Sequence, residues 1–278
     1  MAIITISREL AALGDETACE LAKLLDYKLV DRDILEKKIK IFGIEDKNFK
    51  KYDERKPGFW ASLSQDRDNY LHYLKTAMLS EVGAAKSAVI VGRGASAILK
   101  NVPGVLSVFL VVPIEVRIER VKSYFHCNEK RARQIIEKSD SDRSGFYHYF
   151  FDTEWRNPEN YHLTVNTGHL HPAVCAEIIK RLRDYFITEK IEERQVIRIK
   201  ELTLAHKIKH HILYDKELPV HFLEVSVSEN KITLYGVANS QVLVDATVST
   251  TTEFIIQEKV VLSVRSEIQV IQEYSIVP

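Results

Sequence analysis

The stretch "IITISRELAALGDETACELAKLL" (residues 3–25) decides the fold of this chain. Its first residues are apolar and form a run of the length expected for a buried strand. After a short turn around Gly14, Ala18, Leu21, Ala22 and Leu25 recur at spacings of three and four, which predicts an amphipathic helix over residues 14–25. A strand that leads through a tight turn into a helix is the first unit of an α/β fold.

Further short apolar strands follow, separated by helical patterns: "YKLVD" (27–31), "SAVIVGRG" (87–94), "GVLSVFLVVP" (104–113) and "YHLTVNT" (161–167). This alternation predicts a parallel sheet with helices on both faces. Such sheets bind ligands beyond the carboxyl ends of their strands. We therefore expect Ser7–Arg8, Asp31, Gly92–Arg93 and Pro113 to lie near one crevice.

Composition limits the classes of function. Lysine plus arginine and aspartate plus glutamate number 39 each in 278 residues, so the neutral chain gives no support for binding nucleic acid or an anionic membrane. The cysteines form no CxxC pair, and neither they nor the histidines have a metal-ligand spacing, so we expect no metal site of protein ligands. No apolar run approaches the roughly 20 residues of a membrane span, and the first residues do not have the pattern of a signal peptide. We therefore expect a cytoplasmic protein.

The turn itself allows two interpretations. A phosphate-binding loop uses backbone N–H groups, a helix N-terminus and a lysine that neutralises the phosphates. The turn "SRELAALGDET" contains Gly14 but no lysine, and Asp15 and Glu16 open the helix. Either Gly14 only allows a tight turn and Asp15 caps the helix, or Arg8 replaces the lysine from the end of the strand.

Three arginines elsewhere are candidates for anion binding. Arg93 stands between two glycines at the end of a buried strand, where it either holds a phosphate or forms a surface salt bridge. Arg117 and Arg120 are three residues apart and hence on one helical face. That face is either solvated or an anion clamp.

Asp140 and Arg143 are also three residues apart and are expected to pair on one helical face, with Tyr147 one turn later. A carboxylate, a guanidinium and an aromatic ring can together recognise a base edge and a phosphate. The alternative is a local ion pair within the helix.

The composition changes after residue 186. Residues 187–200 are highly charged and predict a linker or a helical extension. A helix over 201–213, two strands around a turn over 221–238, a helix over 240–254 and a strand over 259–271 predict a small αββαβ domain. We therefore divide the chain into residues 1–186, 187–200 and 201–278.

Four blocks resemble the cytidylate kinase-like family of P-loop proteins: "IITISREL…GDETACELAKLLDYKLVDRDIL", "VIVGRGASAIL", "RIERV" and "IIEKSDSDRSGFYHYF…WRNPENYHLTVNT". The resemblance covers about residues 2–186 and implies a P-loop kinase-type parallel sheet flanked by helices. It also implies transfer of the γ-phosphoryl group of ATP to CMP or dCMP with magnesium, the reaction of a nucleoside monophosphate kinase.

The resemblance carries over to particular residues. Ser7, Arg8, Glu9 and Gly14 match the opening loop, whereas Ala11 and Leu13 stand where two loop glycines are expected, and their Cβ atoms restrict the turn. The residues implied in catalysis are Arg8, Arg117 and Arg120. Those implied in nucleotide binding are Ser7, Gly14, Asp31, Arg93, Asp140 and Arg143.

The C-terminal part resembles a BON domain over about residues 201–271, through "AHKIKHHIL", "ENKITLYGVANS" and "VRSEIQVI". That resemblance implies a site for a small ligand or a lipid and a role in regulation or homo-oligomerisation. Three functions remain open: a CMP or dCMP kinase, an inactive nucleotide sensor that signals through the second domain, and an interaction scaffold.

Overall fold

The computed structural model describes residues 1–41, 66–92, 94–229 and 231–271. The chain divides into two units, Met1–Val196 and Ile197–Pro278. None of the described helices is long and apolar enough to cross a membrane.

A five-stranded parallel sheet forms the centre of the first unit. Its strands are β1 (Ile3–Arg8), β2 (Lys28–Val30), β3 (Ala88–Val91), β4 (Leu106–Val111) and β5 (Leu163–Asn166). They lie in the order β2-β3-β1-β4-β5, and every neighbouring pair is parallel. The predicted parallel sheet is confirmed, and its order brings the carboxyl ends of β1, β3 and β4 side by side.

Helices connect the successive strands of this unit, with two described helices between β2 and β3 and two between β4 and β5. The described helices are α1 (Gly14–Leu25), α2 (Arg32–Ile41), α3 (Asp66–Ala84), α4 (Ala95–Ile98), α5 (Ile114–Phe125), α6 (Glu129–Phe151) and α7 (Pro172–Phe186). The apolar face predicted for α1 is confirmed, because Ala18, Leu21 and Ala22 are buried in the core cluster that also contains the β1 side chains. Helices α5 and α6 enclose a smaller apolar cluster, against which Leu10 and Ala11 of the β1–α1 loop pack.

One helix, α8 (Glu189–His210), covers the segment predicted as a linker or extension and continues without a break past residue 201. A single π-helical turn (His211–Asp215) follows it. The helical extension is therefore the alternative that the structure shows.

The second unit contains a three-stranded sheet in the order β6 (His221–Ser228), β7 (Lys231–Ala238) and β8 (Ser263–Val270). The first pair is antiparallel and the second is parallel, because α9 (Gln241–Gln257) connects β7 to β8. The predicted order αββαβ is found.

Helix α9 forms despite its β-branched residues. Ser240 caps it by accepting a hydrogen bond from the Leu243 N–H at 3.3 Å. The hydroxyls of Thr247 and Thr251 each donate to the carbonyl one turn earlier, at 2.7 and 2.8 Å, which satisfies these polar groups inside the helix.

Candidate functional site

A cleft of about 1140 Å³ opens at the carboxyl edge of the sheet. The β1–α1 loop, residues 8–16, forms one wall. The other wall includes Arg120, Tyr124 and Phe125 of α5, together with His171. The position is that of a small-molecule site in an open α/β sheet, and the volume is large enough for a nucleotide.

Two residues of the loop have a left-handed backbone conformation. Ala11 has φ 65° and Leu13 has φ 55°, in the region that glycine adopts without cost. These are the positions where the resemblance expects two glycines. The Cβ atoms therefore do not prevent the glycine-type turn, but they make it cost roughly 1–2 kcal/mol per residue.

Several backbone donors of the turn belong to residues that line the cleft. Leu13 is the N-cap of α1, and the N–H groups of Leu13, Gly14, Asp15 and Glu16 find no acceptor among the described residues. The N-terminal turn of a helix presents such groups, together with its positive dipole end, to an anion. The loop therefore has backbone donors of the kind that a phosphate site uses.

Arg8 lies across the start of α1. A Cβ at position 14 would stand 2.4 Å from the Cγ of Arg8, so Gly14 is needed here for space. The Nη2 atom of Arg8 donates to the Oδ1 atom of Asp15 at 2.9 Å. The interpretation that Asp15 caps the helix is wrong, because α1 has no side-chain cap and this carboxylate pairs with Arg8 instead.

The Arg117 side chain is 3% exposed, and its guanidinium donates hydrogen bonds to protein acceptors. Its Nη1 and Nη2 atoms donate to the two carboxylate oxygens of Asp140 at 2.9 and 2.7 Å. Its Nε atom donates to the carbonyl of Leu10 in the loop at 3.0 Å. This side chain therefore ties α6 to the loop.

Arg120 also holds the loop. Its Nη1 and Nη2 atoms donate to the carbonyls of Ala11 and Thr167, each at 2.9 Å. A solvated face is not what the structure shows for the pair, because the guanidinium groups of Arg117 and Arg120 are directed at protein acceptors, whereas an anion clamp remains a prediction.

Asp140 and Arg143 do not pair, which corrects the expectation from their spacing. Asp140 faces α5, where it binds Arg117, and it also accepts from Arg156 Nη2 at 2.7 Å. Arg143 donates to Ser139, one turn earlier on the same helix. The partners of Asp140 come from distant parts of the chain, so helical spacing could not reveal them.

A second, narrower pocket adjoins Arg143. Its lining includes Ser7, Gly92, Phe146, Tyr147 and Trp155. The hydroxyls of Ser7 and Tyr147 are 3.4 Å apart, so two polar groups meet at the end of β1. The neighbouring Arg93 lies outside the described residues.

Aromatic packing stabilises the wall behind this pocket. Phe109 of β4 stacks on Tyr161 at 4.9 Å and meets Trp155 edge to face at 5.5 Å. The Tyr161 hydroxyl donates to the Trp155 carbonyl at 2.7 Å, and burial raises the pKa of this phenol. Tyr161 is therefore protonated at neutral pH and keeps Trp155 in place.

Asp31 lies just after β2, as predicted, and its side chain caps the following helix. It precedes α2, and its Oδ1 atom accepts from the Ile34 N–H at 2.9 Å. It also lines a small cavity with Asp15 and Asp33. Across the described ranges, no group of three or more His, Cys, Asp or Glu side chains could hold a metal ion.

Two residues of the site, Glu9 and Arg156, were given no role from the sequence, although Glu9 matches the opening loop of the family. Glu9 accepts from the Val112 N–H at 3.1 Å and pairs with Arg156 at 2.9 Å. Both residues fall inside the quoted blocks "SREL" and "WRNPENY", which was the available signal. Glu9 is a charged residue with only 9% exposure, which requires a partner, and that partner lies 147 positions further along the chain.

Solved structures resemble about two thirds of this chain. An uncharacterized protein from Eubacterium ventriosum is 20% identical with a TM-score of 0.51, over 66% of this chain and 99% of its own. Shikimate kinases from Bacteroides thetaiotaomicron (14% identical, TM-score 0.40, 97% of that chain) and Acinetobacter baumannii (17%, 0.40, 92%) also match over 66% of this chain. No curated protein matches the sequence.

The first of these likenesses shows the fold alone. The sequence pattern of the cytidylate kinase-like family matches residues 3–169, which include β1 to β5 and every residue described around the two pockets from Ser7 to Thr167. This match extends over more than half of the chain, and it includes the β1–α1 loop with Arg8. The chain therefore belongs to the cytidylate kinase-like family.

Proposed function

We propose that this chain binds a nucleoside triphosphate at the β1–α1 loop and transfers its γ-phosphoryl group to CMP or dCMP. The observation that carries the proposal is the loop itself. The residues Leu13 to Glu16, whose N–H groups have no acceptor in the described part of the chain, line one cleft together with Arg8. Family membership supports a nucleotide kinase-like protein. The choice of acceptor rests on the resemblance alone.

The donor site fits a phosphate chain. Amides at a helix start bind phosphate oxygens, and an arginine can bind two of them at once. Magnesium needs no cage of protein ligands, since it is commonly held by one or two carboxylates and the substrate phosphates. The Glu16 carboxylate is exposed in the cleft and has no hydrogen bond among the described side chains, so it is our candidate for that ligand. When bound, magnesium would neutralise phosphate charge.

The narrower pocket has a volume of only about 20 Å³, so it is our candidate for one end of the acceptor and would have to open to admit a whole nucleotide. Arg143 lines both this pocket and the large cleft, so it can approach a phosphate between the two. Ser7 and Tyr147 supply hydroxyls, and Phe146 and Trp155 supply aromatic surface. Arg93 and Asp31 remain acceptor candidates from the resemblance.

Arg117 and Arg120 act in this proposal as positioning residues. By holding the carbonyls of Leu10 and Ala11, they fix the turn that presents the amides. Phosphoryl transfer depends mainly on positioning and charge neutralisation, so residues of this kind affect the rate without touching substrate. The catalytic role implied for them by the resemblance is thereby replaced by an indirect one, and Arg8 keeps the direct one.

A coupled assay of ADP formation with ATP, magnesium and CMP, dCMP, UMP or AMP tests the proposal. We expect turnover with CMP or dCMP that exceeds the turnover of Arg8→Gln. Absence of turnover above that variant with all four acceptors would refute the kinase function.

Nucleotide binding without turnover is the second candidate. It is favoured by the alanine and leucine at the two left-handed loop positions and by the engagement of Arg117, Arg120 and Asp140 with protein groups. Signalling through the second unit, its small ligand or lipid, homo-oligomerisation and a cytoplasmic location remain predictions, as does the scaffold function. Calorimetry with a nucleotide panel, with and without magnesium, separates binding from turnover.

A further inference from the structure

The Arg8–Asp15 pair occupies the part of the loop where a phosphate chain is proposed to bind. The stem of Arg8 rests on Gly14, and its guanidinium reaches Asp15 at 2.9 Å. On its other side, the Nη1 atom lies 3.5 Å from where a Cβ of Gly92 would stand. Arg8 is thus held over the first turn of α1, between the ends of β1 and β3.

The two partners differ in exposure. The Arg8 side chain is 17% exposed, whereas that of Asp15 is 73% exposed. An ion pair with one partner in water is weak, because solvent screens it and can replace it. The carboxylate can therefore leave, while packing on Gly14 keeps the arginine in place.

The charged residues of the loop stand at other positions than in the phosphate-loop pattern. In the phosphate-loop pattern a lysine follows the last glycine. Here Asp15 follows Gly14, and the positive charge comes from Arg8 at the strand end. A phosphate chain at the loop amides would meet the Asp15 carboxylate and would compete with it for the same guanidinium.

We propose that Asp15 is a positioning residue that holds Arg8 at rest and is displaced from it by the phosphate chain of the bound nucleotide. This inference rests on the proposed function of the loop. It makes Asp15 a determinant of affinity, because the phosphates must replace an existing partner of Arg8. Glu16 is the matched neighbour: it has the same charge, it is exposed, and no hydrogen bond joins it to another described side chain.

The test uses inorganic tripolyphosphate in EDTA, titrated by calorimetry into the full chain. This probe carries the phosphates without base, sugar or magnesium. We expect Asp15→Asn to bind about tenfold more tightly than wild type, and Glu16→Gln to gain no more than about threefold from the general loss of negative charge. In high salt both gains should shrink.

Arg8→Gln and the double variant Arg8→Gln/Asp15→Asn complete a cycle. If Asp15 acts through Arg8, the gain from Asp15→Asn disappears in the Arg8→Gln background. A gain that persists there, or one equal to that of Glu16→Gln, overturns the inference. Melting temperatures verify that each variant is folded.

The same series with ATP separates the two proposals. Binding of ATP by wild type without a specific effect of Asp15→Asn refutes only the role of Asp15. Failure of every variant to bind tripolyphosphate and ATP refutes both the role of Asp15 and the nucleotide site. Tighter binding of both probes by Asp15→Asn, dependent on Arg8, supports both.

Discussion

At the scale of single residues, the loop shows that residues other than glycine can adopt the left-handed backbone conformation of this turn. Ala11 and Leu13 keep left-handed φ angles of 65° and 55°. Arg117 and Arg120 hold the neighbouring carbonyls, and such contacts can offset the local cost of the turn. The sequence reveals the missing glycines, but these stabilising contacts come from α5, more than 100 positions away.

Ala11→Gly tests the strain. Glycine removes the Cβ penalty at φ 65°, but it also increases the entropy of the unfolded chain. We expect a net rise of up to about 1 kcal/mol in the free energy of unfolding, measured by urea titration. The control is Ala12→Gly, at a buried alanine whose φ is not positive, where the same change should destabilise. Equal effects of the two substitutions would contradict the strain.

At the scale of elements, β1–α1 and the carboxyl edge of the sheet could be predicted because both depend on local patterns. Because the strands are all parallel, their carboxyl ends lie at one edge, but the order of the strands within the sheet was not predicted. The pairing of Asp140 could not be predicted, since its partner Arg117 lies on α5 and Arg156 lies beyond α6. A spacing of three residues identifies neighbours on one helix, but it does not exclude a stronger partner on another.

Asp140→Asn distinguishes a structural role from base recognition. Removing this charge leaves Arg117 buried without its main partner, and breaking a buried pair costs about 3 kcal/mol of unfolding free energy. The measurement is chemical denaturation. Glu137→Gln, an exposed carboxylate on the same helix, is the control and should change little. Unchanged stability with loss of CMP binding would instead indicate the base-reading role implied by the resemblance.

Glu81 of α3 links this helix to β2 and α2, and it makes the stability of the first unit depend on pH in the acidic range. Its carboxylate binds Lys28 of β2 at 2.6 Å and Lys38 of α2 at 3.4 Å. Burial by itself would raise the Glu81 pKa, but the hydrogen bonds and charges of these two lysines outweigh it and lower the pKa below the ordinary 4.5. The folded chain therefore releases this proton more readily than the unfolded chain.

The contribution of Glu81 is consequently present above pH 4.5 and is lost as the pH falls through the lowered pKa. We expect the free energy of unfolding of wild type to fall more steeply below pH 4.5 than that of Glu81→Gln. Urea titrations at a series of pH values measure both slopes. The control Glu177→Gln, at an exposed carboxylate, should keep the wild-type slope. Parallel curves for wild type and Glu81→Gln would contradict the assignment.

At the scale of the whole molecule, the kinase and sensor functions differ in whether the second unit responds to a nucleotide bound at the first. The proposed nucleotide site lies within Met1–Val196, and the second sheet lies within Ile197–Pro278. A sensor requires that the second unit change its free energy when nucleotide binds to the first. A kinase that uses the second unit for another purpose has no such requirement.

Hydrogen exchange with and without ATP, magnesium and CMP measures this difference. Binding at the loop should protect amides over residues 9–16 in either case, because phosphate oxygens would accept from them. For the kinase we expect exchange over β6 to β8 to stay unchanged, whereas for the sensor it should change in step with loop protection. Arg8→Gln is the control, since weaker phosphate binding should reduce both effects together. A response over β6 to β8 that survives in Arg8→Gln, with the loop unprotected, would mean that the second unit binds nucleotide directly, contrary to both functions.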